Sequence, residues 1–154
     1  MKARLLSPIF PIVVSLLFFT ISLPPLFASY SGGSLMITST NQDKQYPQTF
    51  NVVFSPSDIP VNALYVVLDY EDGESCENLI INEKDFPFIL EAEVNASLKK
   101  IFIALATPGF GITGTTTLAY FSCNQHQSLR INEESRVYTS DGFGTELPLT
   151  SKSN

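Results

Sequence analysis

The chain has no tryptophan, one histidine and two cysteines among its 154 residues. A zinc site draws on clusters of His and Cys, and so few donors cannot supply one. The lone histidine, His126, stands three residues after Cys123. A cysteine nucleophile needs an imidazole that is itself held by a third group, and no such group is recognisable here. The chain is short of positive charge as well, with nine Lys and Arg against fifteen Asp and Glu, a net −6. An acidic surface repels phosphate backbones, so nucleic acid is excluded as a natural partner. The stretch Pro108-Gly109-Phe110-Gly111-Ile112-Thr113-Gly114 carries no lysine, so it is a loop and not a phosphate cradle. Asp69, Glu71, Asp72 and Glu74 crowd together without the spacing of a calcium loop and read as a solvated turn. Glu91 and Glu93 fall on one face of a strand, side by side and not across a cleft as paired glycosidase carboxylates would be. No cofactor, no metal and no catalytic residue is therefore expected.

A long apolar run is found only at the start. Lys2 and Arg4 precede an uncharged stretch from Leu5 to Phe27, broken by Pro24 and Pro25 and followed by Ala28. That layout reads as a signal peptide over residues 1–28, placing the rest outside the cell or at its surface. A retained membrane anchor is the alternative, and the membrane is a partner only through that segment. All fifteen acids follow residue 28 while two of the nine basic residues precede it, so removal of the leader deepens the acidity. An exported chain with an even cysteine count favours a Cys76–Cys123 disulfide, with two buried thiols as the alternative. Asn95-Ala96-Ser97 matches the N-glycosylation pattern.

The remainder suits one domain. Branched and aromatic runs recur at 35–40, 49–54, 62–70, 78–81, 86–94, 98–106, 115–123, 127–131 and 136–139. Asp72-Gly73, Asn95-Ala96, Pro108-Gly109 and Asp141-Gly142 separate them, and no window has a helical period. The pattern predicts an all-β sandwich of about nine strands. Alternation turns Leu64, Val66, Leu68 and Tyr70 to the core. It sets Tyr65 and Val67 on the opposite, still apolar face, which is either covered or a contact surface. It places Thr117, Ala119, Phe121 and Cys123 on one face, and Leu90, Ala92 and Val94 on another.

Three stretches together resemble the cohesin domain. Phe50-Asn51-Val52-Val53-Phe54 with Val61-Asn62-Ala63-Leu64 and Leu68-Asp69-Tyr70 is similar to the family's second and third strands. Ile101-Phe102-Ile103-Ala104, the Pro108–Gly114 turn and Leu118-Ala119 are similar to its later strands, and Val137–Thr145 to its closing strand and turn. The resemblance covers residues 34–147 and leaves 148–154 as a polar tail. It implies a nine-stranded jelly roll that binds a dockerin-like protein partner, or else a polysaccharide, through one sheet face. Typical cohesins carry Asn and, two residues on, Asp at that contact; Asn62 matches the first and Leu64 stands at the second. The binding candidates are Asn62, Tyr65, Val67 and Tyr120. A carbohydrate-binding module proper would use Tyr65, Tyr120 and Phe110, although a sugar platform usually prefers tryptophan. A structural adhesin or surface-layer domain is the third reading.

Overall fold

The computed structural model describes residues 32–40, 47–124 and 129–152. The expected leader over 1–28 and His126 lie outside the described residues. Two sheets pack face to face. The first has the order β11-β1-β2-β7-β4, built from β1 (Gly33–Ser39), β2 (Gln48–Pro56), β4 (Cys76–Ile81), β7 (Thr116–Cys123) and β11 (Leu149–Lys152). The second has the order β10-β9-β3-β6-β5, from β3 (Val61–Asp69), β5 (Phe88–Asn95), β6 (Lys100–Ala106), β9 (Arg136–Thr139) and β10 (Glu146–Leu147). The short β8 (Arg130–Ile131) also pairs with β3. This is the all-β sandwich that the strand pattern predicts.

Alternation explains the core. β2 buries Gln48, Phe50, Val52 and Phe54 and leaves the residues between them half-exposed. Leu64, Val66 and Leu68 face them from β3, and Ile101, Ile103 and Leu105 from β6. Phe50 and Phe121 are register partners whose rings stack with centroids 5.7 Å apart. Such pairs add about 0.5–1.5 kcal/mol beyond the area they bury.

Two expectations about faces need correction, and both fail at bulges. In β7 the pairing with β2 skips Leu118, since Val52 pairs with Ala119 and Val53 with Thr117. The extra residue resets the alternation, so Thr116 and Leu118 turn inward and Thr117 does not join Ala119, Phe121 and Cys123. In β5 the register slips between Ile89 and Glu91. Leu90 is the residue left over and is 72 % exposed, no longer on the side of Ala92 and Val94.

The tail expected over 148–154 is also revised. Leu149–Lys152 pairs in parallel with β1, Gly33 against Leu149 and Met36 against Lys152. Leu147 and Leu149 pack against the core on either side of Pro148, whose carbonyl accepts the Gly32 N–H at 2.9 Å. Two alternating leucines are enough to hold a short edge strand, though too few to mark one in sequence.

Cys76 and Cys123 form a disulfide. They are register partners, so the bridge ties the first residue of β4 to the last of β7 within one sheet. Cys123 is therefore no thiolate for His126.

The end of the sandwich where β1 begins is tightly built. Val61 and Ile112 exchange two backbone hydrogen bonds of 3.1 and 2.7 Å. Gly111 makes this approach possible: its φ is +78°, and a Cβ there would lie 2.7 Å from the Val61 carbonyl oxygen. In the next loop Asp141 Oδ1 accepts the N–H groups of Phe143 (2.9 Å) and Gly144 (3.0 Å), while Oδ2 takes the Thr145 hydroxyl. The Thr145 hydroxyl bond, then the Phe143 N–H bond, lower the Asp141 pKa from its ordinary 3.8 to about 2. A depressed pKa means the folded loop favours the carboxylate. Its contribution is fully present above pH 3.8 and is lost as pH falls through about 2. The Phe143 and Gly144 amides are thus expected to keep their protection from exchange down to pH 3.8 and to lose it below 2, read by NMR. An unchanged protection at the lowest pH would count against the cap.

Candidate functional site

The outer face of β9-β3-β6-β5 gathers the half-exposed aromatic residues Tyr65, Phe102 and Tyr138. Its side chains follow from the register. One cross-strand row runs Glu146, Tyr138, Ala63, Ala106, Phe88. The next runs Arg136, Tyr65, Ala104, Glu91; then come Val67, Phe102, Glu93 and finally Asp69, Lys100, Asn95. The middle is apolar: Tyr65 and Phe102, with the small Ala63, Ala104 and Ala106 between aromatic neighbours. Alanines here keep the centre shallow while leaving the flanking rings half-exposed. The margins are charged, with Glu91 and Glu93 on the β5 edge and Arg136 bonded to Glu146 at 2.7 Å on the other.

Tyr65 lies at the heart of this face. Burial, then the carboxylates of Glu91 and Glu134, push its phenol pKa upward, while Lys100 opposes the shift. The hydroxyl therefore stays protonated and able to donate to a partner across ordinary pH.

Val67 behaves otherwise. It has no exposed surface, yet stands apart from the core cluster. Lys100 on β6 reaches across β3 to Glu134 at 3.2 Å, spanning the strand at the level of Val67 and Asp69. The Ser135 hydroxyl, itself buried, accepts the Val67 N–H at 3.0 Å, and the Asn132 N–H donates to the Val67 carbonyl at 2.8 Å. Val67 is accordingly covered and cannot touch a partner in this arrangement.

Asn62 sits at the start of β3, where the pairing with β9 slips between Val61 and Ala63. Its carbonyl accepts the Thr107 N–H at 2.8 Å, so the residue serves the loop end more than the centre of the face. Tyr120 is on the other sheet. It pairs with Asn51 and Ile80 on the outer side of β7 and is 39 % exposed. Tyr65 and Tyr120 therefore look out from opposite sides of the sandwich and cannot form one platform. Phe102 and Tyr138 belong to the face and were not among the sequence candidates. Both faces of β6 are apolar, so its pattern alone could not say which looked outward.

Other chemistry is already committed. An open cleft lies between residues 131–136 and 146–151, but its Arg136 is held by Glu146 and by the carbonyls of Glu133 and Ser135. In the acidic turn, Asp69 accepts from Asn132 Nδ2 at 2.6 Å and Glu71 lies 3.5 Å from Arg130. Among the described residues no three His, Cys, Asp or Glu gather as a metal cage. Asn95, the glycosylation-pattern asparagine, bonds Glu93 through its amide and caps the Leu98 N–H in a hairpin turn.

No family model and no curated protein sequence matches the chain. Solved structures do. A non-cellulosomal cohesin from the hyperthermophilic archaeon Archaeoglobus fulgidus superposes with a TM-score of 0.59 at 16 % identity, over 79 % of this chain and 86 % of that one. The cohesin module of a family 33 glycoside hydrolase from Clostridium perfringens gives 0.56 at 15 % identity, over 80 % and 100 %. The sixth cohesin of scaffoldin B from Acetivibrio cellulolyticus, solved in complex with a dockerin, gives 0.57 at 13 % identity, over 79 % and 95 %. At such low identity the likeness establishes the fold: the chain is a cohesin-like jelly-roll sandwich.

Proposed function

We propose that this chain is an exported, non-catalytic binding module that receives a dockerin-type protein partner on the outer face of β9-β3-β6-β5. The observation that carries the reading is the open, shallow apolar centre around Tyr65 and Phe102, bounded by Glu91, Glu93 and Arg136. Flat apolar centres with charged rims are how protein surfaces combine anchoring with orientation. Aromatic anchors near the centre of a face carry most of the binding energy. A dockerin stands in complex with a similarly folded neighbour. The acidic margin favours a partner that brings Lys or Arg to the rim. A polysaccharide is the weaker reading, because Tyr65 and Tyr120 lie on opposite sides and no tryptophan offers a sugar platform.

The test is titration of the secreted protein against a panel of dockerins and, in parallel, a glycan array. A dockerin is expected to bind, and Tyr65→Ala or Phe102→Ala each to weaken it by about 30-fold, the ~2 kcal/mol of a central anchor. Tyr120→Ala on the far sheet is the control and should leave affinity unchanged. Glycan binding lost with Tyr120 and kept with Tyr65→Ala would overturn the proposal. Mass spectrometry of the secreted form reads the processed N-terminus, expected next to Ala28.

A further inference from the structure

We propose that the free edge of β5 binds an extended segment of another protein, one with Lys or Arg at alternate positions, as an added strand of the sheet. β5 is the last strand of the order β10-β9-β3-β6-β5, and among the described residues β6 is its only strand partner. In an antiparallel pair, alternate residues turn their N–H and C=O away from the partner strand. On β5 those groups look out from the sheet, and no described residue outside β6 gives them a backbone bond. Native edge strands are commonly very short, carry Pro or Lys, or lie under a loop. β5 has eight residues, and neither Pro nor Lys is among them. Its one irregularity is the bulge at Leu90. From Glu91 to Asn95 the register with β6 runs on without a slip, so a partner strand has a regular stretch to pair with.

Charge identifies the occupant. Glu91 and Glu93 stand on one face of that stretch, and neither joins an ion pair among the described residues, where Lys100, Arg130 and Arg136 go to Glu134, Glu71 and Glu146. A second copy of this chain is disfavoured. Two β5 strands paired antiparallel about Ala92 set Glu91 of each against Glu93 of the other, and like charges directly opposite destabilise a sheet. A strand with cations two residues apart instead meets both glutamates on one face. The residue between the cations turns to the other face. There Ala92 pairs with the core residue Ile103 and is nevertheless exposed, so the sandwich is open along this edge and an apolar side chain would cover it. Past the bulge, Phe88, Ile89 and Leu90 are exposed, as is Ile80 on the adjoining β4. They offer the end of the same segment an apolar contact. The edge shares its two glutamates with the rim of the Tyr65 face, but strand addition needs no dockerin and goes beyond that reading.

The probe is a fluorescently labelled peptide, Thr-Val-Lys-Val-Lys-Leu, titrated with the protein and read by anisotropy. Saturable binding is expected. Two further peptides are N-methylated at alternate residues, in the two opposite phases. An added strand bonds β5 through only one set of its amides, so one phase should bind about 10-fold more weakly and the other as well as the parent. Reversing both charges on the protein, Glu91→Lys with Glu93→Lys, should weaken the parent peptide by about 10-fold and favour Thr-Val-Glu-Val-Glu-Leu in its place. By NMR, the alternate β5 amides that do not bond β6 should exchange fast in the free protein and slow when the peptide is bound. No binding of the parent peptide overturns the proposal. So does equal binding of the two methylated phases, or of the basic and acidic peptides to the unmodified protein. Alternate β5 amides already protected in the free protein would also overturn it, since the edge would then be covered.

Discussion

Replacing Cys76 and Cys123 together by serine is expected to cost about 4 kcal/mol of stability, the entropy of a closed loop spanning 47 residues. In a domain of this size that lowers the thermal midpoint by roughly 15 °C. Circular dichroism melts with and without reductant read the same difference on the unmodified protein. The loss should begin locally. β4 has six residues and lies at the edge of its sheet, and its pairing with β7 slips between Glu77 and Ile80. Asn78 stands at φ 57° within that slip, a left-handed conformation that asparagine tolerates better than most. The disulfide clamps the start of this irregular strand to Cys123. Without it, amides of β4 should exchange before those of β2 and β3. Melts that coincide with and without reductant would show that the bridge constrains nothing the core does not already hold.

Phe54→Ala is expected to destabilise by about 3–5 kcal/mol, while Phe143→Ala changes stability by less than about 0.5 kcal/mol. Phe54 has no exposed surface and sits on a strand flanked by neighbours on both sides. Its ring lies so close to the chain's entering strand that a Cβ on Gly33 would come within 2.9 Å of it. Truncation opens a cavity in the core between the two sheets that the paired backbone of β1 and β2 cannot collapse to fill. Phe143 touches almost nothing of the fold, so removing it relieves no contact and leaves none behind. Urea denaturation of the two variants compares them directly. Equal losses would contradict the placement of one ring inside and the other outside.

Those two phenylalanines also mark the limit of reading the chain by pattern. Phe54 alternates with Val52 and Phe50 in a run of branched residues, so its burial is legible. Phe110 and Phe143 sit among glycines, where no periodicity exists to place them. The candidate face divides in the same way. Tyr65 could be found because its neighbours Leu64 and Val66 define the opposite side. Val67 obeys the same alternation, but a lysine on one neighbouring strand and a glutamate from beyond the other close over it, which decides for cover between the two alternatives the pattern leaves open. Tyr120 shares the chemistry of Tyr65, but strand order places it on the other sheet.

What the sequence by itself determined is the class and the core: an all-β chain whose alternating Leu64, Val66 and Leu68 and whose Phe50, Val52 and Phe54 must turn toward one another. That follows because side-chain direction in a strand repeats every two residues and needs no partner to be defined. Only the tertiary structure decided which outer surface stays open, where bulges at Leu118 and Leu90 break the count, and that Leu149–Lys152 joins β1. It also decided that Cys76 meets Cys123 across neighbouring strands. Each of these depends on which strands become neighbours, and neighbours in a sandwich are set by contacts between residues far apart in the chain.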